Sequence, residues 1–300
     1  MNKIFKYGTV LMMSALAVLS TSCTDEYEYD PTTDVDTSGA YILSDNTDLL
    51  FSEGEAQSLT FTVTRHDTIE AKSYKLYISE PDVASIPEEV SFAALEKSKT
   101  ITVALNVEPG TINKKVVIGI NEGDSYMYGA NSQTYTISCL RKVQGCTFTT
   151  AMLTSPVFLD VDVYEYGKTE KENPDGTVTT TCSYVMKDPY AEIIGPDGVG
   201  YNIVFSLNNN GEVSIANNQI LFYASAEMTG DASIVGDIII SGGGSYYKEK
   251  TNISSLGTSA ENFILFNWTM LIGNTGYGYG TKAHVIQFPS NYDPTTQTVI

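Results

Sequence analysis

The sequence predicts an all-β protein made of two β-sandwich domains. Three observations support this: apolar and polar residues alternate in many short runs, turn residues separate those runs, and 20 Tyr accompany a single Trp. Alternation with period two is typical of strands with one buried face, and Tyr, Val, Ile and Thr favour strands. The 300 residues are enough for one large or two ordinary domains.

The first 22 residues have the pattern of a cleaved export signal. Lys3 and Lys6 give a positively charged start, an apolar run extends from Thr9 to Leu19, and the small residues of 20–22 follow. A run of about a dozen apolar residues is too short to span a bilayer as a permanent helix. We therefore interpret residues 1–22 as a signal peptide.

Cys23 follows these small residues directly, an arrangement that resembles a bacterial lipobox. The resemblance implies that Cys23 becomes the lipidated first residue of the mature protein, so that a lipid anchor holds the protein to the membrane. The acidic residues 24–30 resemble the export tag of Bacteroidetes-type surface lipoproteins, which implies an outer-membrane location facing the cell exterior. Residues 23–38 are expected to form a flexible tether.

Residues 39–142 show the strand pattern of the first domain. Alternating apolar residues occupy five runs, within 59–63, 74–78, 101–107, 116–120 and 135–139, and turn residues separate them. Only Val90 to Lys97 is compatible with a short helical turn. About seven short strands in about 100 residues indicate an immunoglobulin-like β-sandwich.

The order of motifs in this domain resembles a Calx-β-type immunoglobulin-like domain. The matching residues are Glu53-Gly54-Glu55, Leu59 to Arg65, Val90 to Ala93, Lys99 to Val103, and Tyr128-Gly129 ahead of the strand Gln133 to Ser138. Calcium-binding members of that family carry dense acidic loops, whereas the matching segment 119–128 offers only Glu122 and Asp124. Calcium requires about six to eight oxygen ligands, so we expect no metal site, and we expect no cofactor.

Residues 146–300 repeat the β pattern in a second domain of unassigned family. Phe158 to Tyr166 and Val178 to Met186 flank the turn 173–176 and predict a long hairpin. Further strands are expected at 201–207, 213–223, 233–240, 263–272 and 283–288. We interpret Gly242 to Gly244 as a flexible hairpin end, because no Lys-Ser/Thr follows it as a phosphate loop requires. A β-sandwich or jelly-roll-like domain fits this series.

The net charge narrows the classes of partner. The chain has 17 basic and 36 acidic residues, a formal net charge of −19, and no basic cluster. Nucleic acids and anionic membrane surfaces repel such a protein, so we expect no nucleic-acid partner.

Three cysteines remain when Cys23 carries a lipid. In an exported protein the close pair Cys139 and Cys146 is a candidate disulfide, which leaves Cys182 free. The alternative is that all three are buried thiols, since spacing alone does not establish disulfide geometry.

Residues suited to catalysis are few. His66 and His284 are the only histidines, and no nucleophile motif or zinc-ligand spacing accompanies them, so we interpret them as isolated surface or turn residues. Asp160 and Asp162, two apart on one predicted strand, suit glycoside hydrolysis by residue type, but a solvated strand face is the more common role for such a pair. The sequence therefore predicts a protein that is not an enzyme.

The segment 276–280, Gly-Tyr-Gly-Tyr-Gly, is the candidate ligand-binding site. Its glycines free the backbone, and Tyr277 and Tyr279, with Trp268 nearby, would offer flat aromatic faces to a sugar ring. A loop that seals one end of the sandwich is the alternative. Asp67-Thr68-Ile69 resembles the O-glycosylation sequon of exported Bacteroidetes proteins, which implies a modified Thr68.

Together these features predict a non-enzymatic surface lipoprotein that binds extracellular polysaccharide for nutrient capture, with the first domain as a spacer. One alternative is an adhesin or assembly module that recognises a surface protein, which an exposed apolar patch would favour. The other is a glycoside hydrolase, which a cleft with two facing carboxylates would favour.

Overall fold

Short strands make up most of the chain that the computed structural model describes, namely residues 37–151, 156–273 and 278–300. Two single-turn helices, α1 (Ala191–Ile194) and α2 (Ala226–Thr229), and three 3₁₀ turns lie between strands. The prediction of an all-β sandwich protein is confirmed. The predicted signal peptide, Cys23 and nearly all of the predicted tether lie outside the described residues.

The first sandwich consists of eight strands in two sheets. The strands are β1 (Ala40–Leu43), β2 (Asp48–Ser52), β3 (Ser58–Arg65), β4 (Lys72–Ile78), β5 (Glu89–Phe92), β6 (Ser98–Ala104), β7 (Thr111–Ile120) and β8 (Ser132–Val143). One sheet has the order β1-β3-β6, and the other has the order β2-β8-β7-β4-β5. All pairs are antiparallel except β2 with β8, and the chain crosses repeatedly between the two sheets, as in an immunoglobulin-like sandwich.

The second sandwich is formed mainly by one long antiparallel sheet. Its strands are β9 (Thr147–Thr150), β10 (Val157–Asp160), β11 (Asp162–Glu172), β12 (Val178–Lys187), β13 (Ile203–Asn208), β14 (Glu212–Ile215), β15 (Gln219–Ala224), β16 (Gly236–Tyr247), β19 (Phe263–Ile272) and β20 (Gly278–Gln287). Two small ribbons complete it, β17 (Thr251–Ile253) with β18 (Thr258–Ala260) and β21 (Tyr292–Asp293) with β22 (Thr298–Val299).

This long sheet curves so that distant strands share one core. Its order is β10-β9-β20-β19-β16-β14-β13-β12-β11, with β15 also paired to β16. Phe205 of β13 nevertheless lies 5.3 Å, between ring centroids, from Phe266 of β19, although two strands separate them in the sheet. Strand twist allows such a sheet to fold over and bury its inner face against itself. The predicted hairpin of β11 and β12 is confirmed.

Strand β8 belongs to both sandwiches. Residues 132–139 pair with β7, and residues 141–143 pair with Glu165, Tyr164 and Val163 of β11. The core of the first sandwich ends at Cys139 and that of the second begins at Val143. Residues 38–300 form one compact unit. No helix of the described residues is long and apolar enough to cross a membrane.

Three local predictions are wrong. The segment expected to hold a helical turn contains β5, whose Val90 and Phe92 point into the core. The expected strand from Phe158 to Tyr166 is interrupted at Val161, so that it forms β10 and β11.

The third correction concerns Gly242 to Gly244, which lie inside β16 between two paired strands. A Cβ atom on Gly244 would lie 2.5 Å from the carbonyl oxygen of Leu265, and one on Gly243 would lie 2.8 Å from that of Val213. Glycine is therefore needed because neighbouring backbones approach closely, and not because the chain turns there.

We expect Gly244→Ala to lower the free energy of unfolding by about 1–3 kcal/mol, because the added methyl group must push β16 away from β19. Urea unfolding followed by the fluorescence of the single Trp, buried in the same core, measures this change. Gly123→Ala is the matched control, since a Cβ atom there meets nothing within 4 Å. Equal stability of the two variants would contradict the close-approach explanation.

Candidate functional site

Trp268 lies in the core of the second sandwich and offers no face to a ligand. Its side chain is fully buried, and its ring centroid lies 4.4 Å from that of His284 and 4.9 Å from that of Phe266. The prediction that Trp268 contacts a sugar is therefore wrong, because alternate residues of β19 point inward and position 268 is one of them.

Of the two tyrosines in the candidate segment 276–280, the structure describes the backbone of one. Tyr277 lies outside the described residues. Tyr279 lies at a β-bulge of β20, since Gly278 pairs with Leu271 and Gly280 pairs with Met270, which makes Tyr279 the extra residue between them. A ligand-binding role for Tyr277 and Tyr279 stays a prediction.

His284 is buried, so the interpretation of this histidine as an isolated surface or turn residue is also wrong. Its Nδ1 atom lies 2.9 Å from the hydroxyl oxygen of Tyr190 and 3.0 Å from that of Thr150. Burial lowers the pKa of His284 from 6.5 to about 3, because the imidazolium form would lose its hydration. A neutral, enclosed imidazole is suited to hydrogen bonding within the core and not to proton exchange with a bound substrate.

The three cysteines of the described residues are free, buried thiols, so the predicted disulfide is wrong. Cys139 belongs to the core of the first sandwich, whereas Cys146 belongs to the core of the second. Burial raises the pKa of the Cys146 thiol to about 12 and that of Cys182 to about 11. Both groups are therefore protonated and unreactive at neutral pH.

Asp160 and Asp162 do not share one strand. Asp160 ends β10 and Asp162 begins β11, and a carboxylate oxygen of Asp162 lies 2.5 Å from Nζ of Lys142. This ion pair connects β8 to β11. Its geometry gives Asp162 a role at the junction of the two sandwiches.

Glu165 is a buried carboxylate beside a cavity of about 210 Å³. Tyr292 donates a hydrogen bond to it at 3.0 Å, and a guanidinium nitrogen of Arg141 lies 3.6 Å away. Burial raises the pKa of Glu165, although Tyr292 and Arg141 act in the opposite direction. Among the described residues that line this cavity, no second carboxylate is present to complete the pair that glycoside hydrolysis requires.

A group of aromatic side chains lies at the surface of the first sandwich. We define the aromatic cluster as Tyr41, His66, Tyr126 and Tyr128. The ring of Tyr126 stacks on His66 with centroids 5.4 Å apart and planes 3° apart, and its centroid lies 6.2 Å from that of Tyr41. Tyr128 meets Tyr126 edge-on at 5.8 Å and is 67% exposed. The Tyr128 side chain is thus largely exposed to solvent, and the ring of Tyr126 packs against it.

The loop that carries Tyr126 and Tyr128 is fixed to the sandwich. Its backbone follows β1, because the amide of Tyr126 donates to the carbonyl of Ala40 at 2.8 Å and the amide of Ile42 donates to the carbonyl of Ala130 at 2.9 Å. The absence of a side chain at Gly129 allows Tyr41 to pack against the loop, since a Cβ atom there would lie 2.5 Å from that of Tyr41. The aromatic cluster is therefore held in place before any ligand binds, which reduces the entropy cost of binding.

Arg65 holds the loop that carries His66. Its guanidinium group is buried and donates to the carbonyl oxygens of Thr68, Glu70, Ala93 and Glu96, at 2.5 to 3.3 Å. The group also lies 5.2 Å from the ring centroid of Phe92, which is a cation–π distance. These bonds tie the β3–β4 and β5–β6 loops together and place His66 beside Tyr126.

Thr68 lies in the same loop, next to the aromatic cluster. Asp67 accepts a hydrogen bond from the amide of Ile69 at 2.9 Å, which forms a tight turn around Thr68. Thr68 is half-buried and Ile69 is exposed. O-glycosylation of Thr68 stays a prediction.

The part of the chain that the structure describes contains no group of three or more His, Cys, Asp or Glu side chains placed to hold a metal ion. Stacking contacts between rings are the interactions that the aromatic cluster shows.

Comparison with known proteins adds neighbours of low similarity. No protein-family model and no curated protein matches the chain. The chain is similar to a solved protein of unknown function from Bacteroides ovatus, with 10% identity and a TM-score of 0.29 over 83% of this chain and 93% of that one. It is also similar to a multidomain protein including DUF1735 from Bacteroides ovatus, with 10% identity and a TM-score of 0.28 over 83% and 92% of the two chains.

A third solved structure, again a protein of unknown function from Bacteroides ovatus, has 7% identity and a TM-score of 0.28 over 84% of this chain and 90% of that one. Scores at this level carry no argument about function. The proposed function is therefore argued from the geometry of the aromatic cluster.

Sequence reasoning missed the aromatic cluster because its members come from three separate segments. Two signals were present: Tyr126 and Tyr128 in a loop rich in small and polar residues, and one of only two histidines at the end of a strand. Neither signal indicates that the β3–β4 and β7–β8 loops lie side by side, which depends on the order of strands in the sheets.

We expect acidification to destabilise the second sandwich through His284. The unfolded chain takes up a proton near pH 6.5 and the folded protein only near pH 3, so stability falls as pH drops between these values, by about 2 kcal/mol at pH 5. Urea unfolding followed by circular dichroism at pH 7 and pH 5 measures the loss. His284→Asn keeps a polar atom near Tyr190 and should lose less stability than the wild type between pH 7 and pH 5. A loss equal to that of the wild type would contradict the assignment to His284.

Proposed function

We propose that the protein is a lipid-anchored, outer-membrane protein that faces the cell exterior and binds extracellular polysaccharide for nutrient capture without catalysing a reaction. The observation that carries this proposal is the aromatic cluster, with Tyr128 67% exposed at its outer edge. Exposed aromatic rings bind the apolar faces of sugar rings, and nearby polar groups bind sugar hydroxyls.

The position of the aromatic cluster revises where on the molecule binding is proposed. The first sandwich, which the sequence suggests as a spacer, carries the aromatic cluster, whereas Trp268 of the second sandwich is buried. The polar groups near the cluster include Asp67 and the backbone of the β3–β4 loop. Such an open, preformed surface suits a polymer better than a small molecule, which is usually enclosed in a pocket.

The proposed anchoring rests on the first 30 residues of the sequence. The apolar run, the small residues and Cys23 resemble a lipoprotein signal, and the acidic residues 24–30 resemble a surface-export tag. Cell-surface exposure would give the aromatic cluster access to polymers too large to enter the cell. The net charge of −19 favours neutral ligands over nucleic acids.

We expect Tyr128→Ala to weaken polysaccharide binding about tenfold, because the free stacking face is removed while the loop stays tied to β1. Affinity electrophoresis of residues 36–300, which include the whole compact unit, measures retardation against a polysaccharide panel. The matched control is Tyr166→Ala on the second sandwich, since Tyr166 is 40% exposed and lies outside the aromatic cluster.

Three outcomes of this experiment are informative. Retardation that Tyr128→Ala weakens and Tyr166→Ala retains supports the proposal. Retardation abolished by Tyr277→Ala with Tyr279→Ala, and not by Tyr128→Ala, moves the site to the second sandwich. The absence of retardation by every polysaccharide overturns polysaccharide capture and favours recognition of a surface protein.

We expect Cys23→Ser to release the protein from the outer-membrane fraction, because the hydroxyl group does not accept the lipid and no other anchor is proposed. Labelling with a radioactive fatty acid, followed by cell fractionation, measures both lipidation and location. Cys182→Ser is the control. A Cys23→Ser protein that still carries label and stays with the outer membrane would contradict the anchor assignment.

A further inference from the structure

The outer face of the three-stranded sheet β1-β3-β6 carries no charged side chain. Because alternate residues of a strand point to opposite sides, the registers of β1 with β3 and of β3 with β6 identify the outward positions. These positions are Tyr41 and Leu43 of β1, Ser58, Thr60, Thr62 and Thr64 of β3, and Ser98, Thr100, Thr102 and Ala104 of β6. An uncharged face is notable because the chain has 53 charged residues, 36 acidic and 17 basic.

Threonine hydroxyls on this face form cross-strand pairs. The hydroxyl oxygens of Thr60 and Thr102 are 2.9 Å apart, and those of Thr62 and Thr100 are 3.1 Å apart. Within each pair one hydroxyl donates to the other, which leaves one donor and several lone pairs available to solvent or to a ligand. Sugar hydroxyls are both donors and acceptors, so they match this pattern.

A groove lies over these threonines. Its volume is about 430 Å³, and the residues that line it include Thr60, Thr62, Thr100 and the β1–β2 turn at 44–46. The turn is held there because the hydroxyl of Ser44 donates to the carbonyl oxygens of Asn46 at 3.1 Å and Thr60 at 3.3 Å. We call this feature the threonine groove; Asp45 in its wall is the one acidic residue among the residues that line it.

The threonine groove and the aromatic cluster are joined by β1. Tyr41 and Leu43 both point outward from this strand, and Tyr41 belongs to the aromatic cluster while Leu43 lines the groove. The outward positions from Ser58 to Thr62 on the neighbouring strand extend over about 13 Å, and Thr64, opposite Tyr41, is buried. The two features therefore form one continuous surface, with aromatic rings at one end and hydroxyl groups at the other.

We propose that this surface binds a neutral polysaccharide in extended form, with one part of the chain stacked on the aromatic cluster and a following part hydrogen-bonded in the threonine groove. This inference rests on the proposed function and adds the class of polymer. Uronic acids and sulfated sugars are disfavoured, because the face supplies no cation to pair with them and Asp45 would repel them. The length of the surface favours several linked sugar units over a monosaccharide.

The test compares neutral with acidic polysaccharides in affinity electrophoresis and uses a double variant, Thr62→Val with Thr100→Val. Valine keeps the branched shape and the strand preference while removing both hydroxyls. We expect a neutral polysaccharide to retard the wild type and the double variant to bind it about three- to tenfold more weakly. Thr269→Val with Thr281→Val is the matched control, because those hydroxyls form a cross-strand pair, 3.3 Å apart, on the second sandwich.

The outcomes separate this inference from the proposed function. Neutral retardation that both Tyr128→Ala and the Thr62/Thr100 variant weaken, with the control unchanged, supports a continuous site. Retardation that Tyr128→Ala weakens and the Thr62/Thr100 variant does not would keep the proposed function and overturn the groove. Retardation only by acidic polysaccharides would overturn the choice of polymer, and retardation by none would overturn both proposals. Circular dichroism of each variant verifies that the strands remain folded.

Discussion

The pairing of one strand with both halves of the molecule is the constraint on which the rest of the structure depends. β8 hydrogen-bonds to β2 and β7 along most of its length and to β11 at its end. Two further contacts strengthen this junction: the amide of Lys142 donates to the carboxylate of Glu53 at 2.9 Å, and Lys187 forms an ion pair with Glu55 at 2.8 Å. Backbone pairing restricts rotation between the sandwiches in a way that a flexible linker would not.

The two sandwiches bury their aromatic residues in different ways. In the second, one continuous sheet encloses a core that contains Trp268, Phe266, Phe205 and Tyr184. The described part of this half nevertheless exposes other aromatic side chains, namely Phe158 at 62% and Tyr166 and Tyr223 at 40% each. In the first sandwich, the loops at one end extend beyond the core, and Tyr126 and Tyr128 remain partly or largely exposed. The clustering of Tyr126 and Tyr128 with His66 therefore follows from loop geometry and not from composition.

Buried polar groups fix the loops that form the proposed site. Arg65 places its charge among four backbone carbonyls and beside the ring of Phe92, so burial of the guanidinium group is offset by hydrogen bonds and a cation–π contact. Removal of such a group would leave these carbonyls without their donor and loosen the loop that carries His66. A surface that recognises a polymer with few contacts per sugar benefits from this rigidity, because little conformational entropy is lost on binding.

The sequence by itself determined the all-β class, the main strands and their inward faces, since alternation along a strand is a local property that burial of one face requires. Leu59, Phe61 and Val63 alternate with threonines along the chain, and all three are buried. The long hairpin of β11 and β12 was also predictable, because a turn sequence separates two alternating runs. The tertiary structure decided the order of strands, the shared use of β8 and the position of the glycines in β16 between close backbones. It also decided which aromatic rings are exposed: Trp268 and His284 are buried, while Tyr41, His66, Tyr126 and Tyr128 come together from separate segments, because contacts between strands distant in sequence depend on how the sheets fold.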